Sequence, residues 1–421
     1  MLGSALNEQD RRGWPLFLLG RHGRRGLGGG MPCRPRLICD CDGEIDERSH
    51  LCNNIAKFFD FVREERLAMS DHVLDCPIGE LGSVDGWKQL PISECGEQLV
   101  PLGAFSNYPQ IATDSIYAGE RRSSPYPCEQ LRSSMFAVFV REGVAERLVK
   151  VAELLPSGHM LLVWDAYRPL AVQQALFNYY VGVLEKNGTS HDQAIVDAQR
   201  FVSIPSNDPT KPPPHNTGGA VDLTIIRFSE KDWREMERLT VIVRMPETGE
   251  NWQQIYAAEM ERQQLIREAS VPLEMGTVFD GVHPETATRF YEELNPTLLD
   301  EKRQKCLINR RLFWNVMVAA GFSNYPEEWW HFDFGNQFDA VRTGRQAIYG
   351  AATFSKENED WETMRRGHYF GSVAIAERRH PAEAVNKLGE VNMHEYYPFV
   401  RDITMRTGHL KHTVHPQGAA I

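Results

Sequence analysis

No run of 18 or more apolar residues occurs in the 421-residue chain, so no membrane-spanning helix is expected. No CxxC pair occurs either, which sets aside zinc ribbons and thioredoxin-type motifs. The eight cysteines stand at positions 33, 39, 41, 52, 76, 95, 128 and 306. So few in so long a chain suit a reducing compartment rather than a disulfide framework. Cys39, Cys41 and Cys52 are close enough in sequence to share a metal, but unpaired or buried thiols are the simpler reading. Long Lys/Arg blocks are missing except near the N-terminus. With 46 Lys and Arg against 57 Asp and Glu, the net charge of -11 argues against nucleic acid as the main partner. No internal repeat is found.

What is there is ordinary for a globular protein: 42% hydrophobic and 24% charged residues, enough to build a sizeable core at this length. Residues 1–100 read as a partly disordered N-terminal extension, 101–350 as the dense central domain, and 351–421 as a C-terminal extension. The leader carries Arg11-Arg12, a short apolar run, and more basic residues from Arg21. A twin-arginine export signal is one reading of it. An unstructured basic leader is the other, with a cytoplasmic location, and a start at Met31 would remove the leader altogether. A short amphipathic helix fits 54–67. The C-terminal His409, His412 and His415 read as solvent-exposed rather than metal-binding.

Within the central region, Val144, Leu148, Val151 and Leu155 form one helix face, stopped by Pro156 and Gly158. Residues 161–164 are a short apolar run that predicts a buried strand. Pro169 is expected to open the following helix at its first position. Residues 220–226 predict a strand, 306–320 a helix closed by Gly321, and 329–334 another strand. The highly charged helical pattern of 229–269 suggests an insertion forming a surface lid beside the cleft.

Three groups of residues carry chemistry. His215 and Asp222 are seven apart, a separation of roughly 23 Å if extended. Two ligands of one zinc ion must approach it to about 2 Å. The chain must therefore turn between them, and Thr217-Gly218-Gly219 permits this. A capped loop histidine and an arginine-paired aspartate would fit the same residues. Glu328 stands three before His331, after the Tyr325-Pro326 turn, and could lie beside a metal-activated water. An aromatic strand with surface acids is the alternative. In 165–169, Arg168 could stabilise a developing oxyanion with two hydrogen bonds, or simply pair with Asp165.

Taken together, the words Asp165-x-Tyr-Arg-Pro169, His215-x6-Asp222 and Glu328-Trp-Trp-His331 resemble the zinc D-alanyl-D-alanine dipeptidases, within the zinc D,D-peptidase superfamily. The segment from Glu274 to Asp280 resembles that family's Met-Gly-Thr word. The resemblance covers about 105–350. It implies an α+β fold of the zinc D,D-peptidase (hedgehog-like) type, with a central antiparallel sheet and packed helices. It implies one Zn2+ per chain held by His215, Asp222 and His331, with Glu328 and Arg168 catalytic. Asp280 would bind the ammonium of a small dipeptide substrate, in a cell-wall or peptidoglycan context.

Two departures bear on the substrate. Pro213 and Pro214 stand where family members carry serines, and Ile111-Ala-Thr stands where they carry a tyrosine, for which Tyr108 or Tyr117 could substitute. A zinc D,D- or L,D-carboxypeptidase acting on cell-wall peptides is therefore kept as an alternative. A non-catalytic zinc-binding module is a third, although both Glu328 and Arg168 are present. The oligomeric state is not readable.

Overall fold

Two long apolar segments organise the sheet. The computed structural model describes residues 75–118, 134–199, 202–246, 251–281 and 283–376, all within one compact unit. Its strands, in chain order, are β1 (Leu99–Pro101), β2 (Ala112–Thr113), β3 (Phe139–Arg141), β4 (His159–Asp165), β5 (Ala220–Arg227), β6 (Val271–Pro272), β7 (Ser323–Asn324) and β8 (His331–Asp333). Six of them form one sheet in the order β2-β4-β5-β8-β7, with β6 also paired to β5. β4 and β5 are buried almost throughout, which explains why they read as near-continuous apolar runs rather than alternating ones. β1 and β3 pair separately.

The fold is α+β, as the resemblance implied. Pairing is antiparallel except at one edge, where the two-residue β2 runs parallel to β4. The helices are α1 (Glu142–Leu154), α2 (Leu170–Lys186), α3 (His191–Ala198), α4 (Glu230–Val243), α5 (Trp252–Ala269), α6 (Phe290–Glu293), α7 (Glu301–Ala319), α8 (Gln337–Thr343) and α9 (Lys356–Ala376). α1 buries Val144, Leu148 and Val151, the face its spacing predicts. Pro169 is the residue before α2 rather than its first: its ψ of 148° is extended, so it caps the helix instead of starting it. α7 begins earlier than expected because the Asp300 side chain accepts a hydrogen bond from the Arg303 N–H. In the expected strand 329–334, only His331–Asp333 pairs. Trp329 and Trp330 sit in a turn in which the His331 N–H reaches back to the Glu328 carbonyl at 3.3 Å.

The lid expectation is not met. β5 reaches Asp222 near its start and Arg227 at its end, roughly 17 Å further on at strand rise. α4 and α5 leave from that far end. α5 then packs on the 105–109 segment, where Arg262 donates to the Pro109 carbonyl at 2.6 Å and Tyr256 stacks on Phe105. Its fully buried Arg262–Glu259 pair, at 2.8 Å, neutralises the charge that this packing encloses.

Segments on either side of the sheet region contribute to the same unit. Arg289 donates to the Gly79 carbonyl at 2.8 Å, and Ile78 is buried. Glu362 of α9 accepts the N–H groups of Phe136 and Ala137 at 2.9 and 2.8 Å. Cys306 is buried, while Cys76 and Cys95 are exposed. The leader, the remaining cysteines, the 54–67 helix and the C-terminal histidines lie outside the described residues. Among the described residues, no helix is long and apolar enough to cross a membrane.

The link into β5 depends on two glycines. A short 3-10 turn, Pro214–Thr217, ends at Gly218 with φ 70°, in the left-handed region. A Cβ on Gly218 would lie 2.6 Å from Leu99 Cδ2, and one on Gly219 would lie 2.6 Å from the Phe334 carbonyl oxygen. Gly218→Ala is therefore expected to cost about 1–3 kcal/mol from backbone strain alone. Urea denaturation checks this, and a wild-type midpoint would show that the turn relaxes freely.

Candidate metal centre

Strand register brings distant residues into one row. β5 and β8 pair Asp222 directly with His331, and β4 and β5 pair Asp165 with Asp222. Side chains opposite each other on neighbouring strands share a face and lie within contact range. The β4 alignment contains an irregularity: Val163 faces Leu223, yet Asp165 faces Asp222. One extra residue on β4 thus turns Trp164 away from this row and aims Asp165 into it, a common use of a bulge beside a site.

The 3-10 turn supplies the remaining donor, His215. Its position is fixed from the backbone. The Arg168 N–H donates to the His215 carbonyl at 3.1 Å, and the Asn216 amide donates to the Arg168 carbonyl at 3.2 Å. The Thr217 hydroxyl closes the turn onto the Pro214 carbonyl at 2.5 Å and accepts from the Gly219 N–H at 2.9 Å.

His215, Asp222 and His331 are all buried, and one donor atom from each lies within 4.8 Å of the others. His215 Nε2 is 3.3 Å from His331 Nδ1 and 3.3 Å from Asp222 Oδ2, and His331 Nδ1 is 2.9 Å from Asp222 Oδ1. Tetrahedral coordination with bonds of 2.0–2.1 Å requires donors about 3.3 Å apart, so this trio fits a small divalent ion. The outward nitrogens fit as well. His215 Nδ1 lies 2.9 Å from the Ala166 carbonyl, which can only accept, so Nδ1 carries the proton and Nε2 offers its lone pair inward. His331 presents Nδ1 inward and sets Nε2 against Asp333 at 3.1 Å.

Without an ion, the cluster binds protons instead. Burial disfavours the His331 charge, but Asp333 and then Asp222 outweigh it and raise its pKa well above the usual imidazole range. Burial would raise the pKa of Asp222, but the two imidazoles hold it well below the usual carboxylate range. Glu328 lies on the turn before β8, with its carboxylate 3.7 Å from His331 Nδ1 and its side chain 23% exposed. Burial, with Asp222 and Asp280 nearby, lifts its pKa to about 8 against the pull of His331 and Arg168. A cation among these groups would draw it back down.

Arg168 is more constrained than the sequence suggests. Its Nε donates to Asp165 Oδ2 at 2.8 Å, and NH2 also contacts that oxygen. NH2 donates to the Tyr117 hydroxyl at 2.8 Å, and NH1 donates to Gln173 Oε1 at 2.9 Å. Of its five N–H groups, these partners leave one, on NH1, for a ligand, so the expected two-bond contact with an oxyanion is not available in this arrangement. Tyr117, not Tyr108, is the tyrosine at this position. Tyr108 sits instead near Glu142 and Glu146.

Arg168, His215, Asp222, Asp280, Glu328 and His331 all line one cleft that opens to solvent. Among the described residues, none between 223 and 279 lines it. Leu176, Tyr180, Pro213, Pro214, Tyr325 and Phe338 complete much of its wall. Asp280 has φ 54°, a left-handed conformation rare outside glycine and tolerated best by Asn and Asp. Sequence reasoning assigned no role to Asp333, Gln173 or Arg342. The His331-x-Asp333 spacing, which places both side chains on one strand face, was the signal for the first of them.

Residues 252–348 match the family model described as D-ala-D-ala dipeptidase. A D-alanyl-D-alanine dipeptidase of Synechocystis sp. is 25% identical over 268 residues, covering 59% of this chain and 86% of that protein. Another, from Enterococcus faecium, is 25% identical over 190 residues, covering 45% of this chain and 69% of that protein. A buried two-histidine, one-aspartate cluster in a cleft, together with these likenesses, defines a metallopeptidase. Within that class, the chain is similar to the D-ala-D-ala dipeptidases, over residues 252–348 for the family model and at 25% identity for both relatives.

Asp165 holds the Arg168 guanidinium where both are buried. Asp165→Ala is expected to destabilise the protein by about 3–5 kcal/mol by stranding that charge. Gln173→Ala should cost about 1 kcal/mol, one hydrogen bond. Denaturant midpoints of the two variants check the order, and equal losses would contradict the assigned hierarchy.

Proposed function

We propose that this protein is a zinc-dependent dipeptidase that hydrolyses D-Ala-D-Ala or a closely related dipeptide. The observation that carries the reading is the meeting of His215, Asp222 and His331 beside Glu328 in one cleft. The three donors would hold the ion. When bound there, zinc supplies Lewis-acid activation of a water and polarisation of the scissile carbonyl.

The chain's own groups do the rest. Glu328 accepts a proton from the attacking water and delivers it to the departing amine, so one carboxylate serves as base and then acid. Its position beside His331, partly open to the cleft, suits this traffic. Asp280 accepts hydrogen bonds from the substrate ammonium and selects for a free N-terminus. The remaining N–H of Arg168 offers one hydrogen bond toward the negative charge that gathers on the former carbonyl oxygen. Asp165, Gln173 and Tyr117 hold the guanidinium rigid, so that bond needs no reorganisation. The names of the Synechocystis and Enterococcus faecium relatives support the dipeptide class.

With Glu328→Gln, zinc content should stay at one per chain while kcat falls by about 10² to 10⁴. Metal analysis beside hydrolysis of D-Ala-D-Ala, L-Ala-L-Ala, a tripeptide and a cell-wall pentapeptide checks both parts. Wild-type turnover in the variant would remove Glu328 from the chemistry. Preference for the pentapeptide would turn the assignment to a carboxypeptidase.

A further inference from the structure

We propose that Asp333 is a positioning residue that locks the His331 ring with Nδ1 facing Asp222 and His215, an inference that rests on the metal-site reading above. Asp333 is fully buried and ends β8, two residues after His331. Both its oxygens are engaged. Oδ2 meets His331 Nε2 at 3.1 Å and Arg342 NH2 at 2.6 Å, while Oδ1 accepts from the Asn336 amide at 2.6 Å. Asn336 in turn caps α8, its Oδ1 accepting from the Asp339 N–H at 2.9 Å. Arg342 lies on the same helix, and its side chain is 2% exposed. The start and end of α8 thus both clamp the carboxylate that holds the ring.

The chemistry follows from the imidazole. A neutral ring has one N–H and one lone pair, and only the lone pair binds a cation. A carboxylate set against Nε2 keeps the proton there and leaves Nδ1 bare. It also raises the basicity of the ligand nitrogen and resists rotation of the ring about its Cβ–Cγ bond. Histidines that bind metals commonly have such outer partners, and losing one typically weakens metal affinity by about 10- to 100-fold. The sequence pattern of this clamp is His331-x-Asp333-x-x-Asn336 followed by Arg342.

The test measures zinc affinity by competition with a chelator of known strength, together with NMR of the zinc-loaded protein labelled with 15N at histidine. Wild type should bind one zinc per chain and show a downfield His331 Nε2–H proton, shielded from exchange. Asp333→Asn, nearly the same shape, should weaken zinc binding about 10- to 100-fold and move that proton upfield. Asn336→Ser retains a helix-capping oxygen but cannot reach Asp333. It should weaken zinc about fivefold, the weight of one hydrogen bond, with the same direction of shift, and it serves if Asp333→Asn does not fold. Failure of wild type to take up zinc would overturn the metal-site reading itself. Zinc binding by wild type, with affinity unchanged within twofold in the folded variants, would overturn the role of Asp333 alone. Weakened binding with an unmoved Nε2–H signal would also overturn it, by showing general loosening instead of a released ring.

Discussion

The cross-strand pairing of Asp222 with His331 is the constraint on which the rest of the structure depends. It brings two residues 109 positions apart into contact at 2.9 Å, and a one-residue slip would send one of them to the opposite sheet face. The flanking features all serve that register. The bulge in β4 adds Asp165 to the row, and Gly218 and Gly219 let the preceding turn set His215 above it. The turn at Glu328 delays the start of β8 until the histidine itself. Three strands and one turn therefore specify a cluster that no single segment could build.

Placing so much charge in the interior is costly unless each group is compensated. Here compensation runs in two chains from the cluster. One leads from His331 to Asp333 and then to Arg342 and Asn336. The other leads from His215 to the Ala166 carbonyl and from Asp222 toward Arg168, which Asp165, Tyr117 and Gln173 then satisfy. The donors that face the centre share protons among themselves, a role that a divalent ion would take over. Glu328 stands outside both chains, with partial exposure to the cleft. That separation distinguishes the group able to exchange protons with a substrate from the groups that hold the frame.

Much of this was legible in the residues. The apolar runs around Leu161–Val163 and Leu223–Ile226 mark strands buried on both faces, and the helix spacing of Val144, Leu148 and Val151 survives folding intact. The pairing of His215-x6-Asp222 with Glu328-x-x-His331 pointed to the donor set that the fold brings together. What was not legible depends on relations between segments. The periodicity of β4 does not announce a bulge, so the saturation of Arg168 by Asp165 was underestimated and its free hydrogen-bonding capacity overestimated. The charged helices 230–269 looked suited to a lid, but their place is set by which end of β5 they leave, and local pattern carries no such information. β2, at two residues, is too short to show any periodicity and exists only through its pairing with β4.

Anomalous diffraction at the zinc edge, from crystals of the protein purified with zinc, tests the central claim most directly. One peak per chain is expected, bonded at about 2.0–2.2 Å to His215 Nε2, a carboxylate oxygen of Asp222 and His331 Nδ1, with a fourth position open to the cleft. Zinc bound elsewhere, or a fully occupied zinc contacting His331 through Nε2 instead, would contradict it.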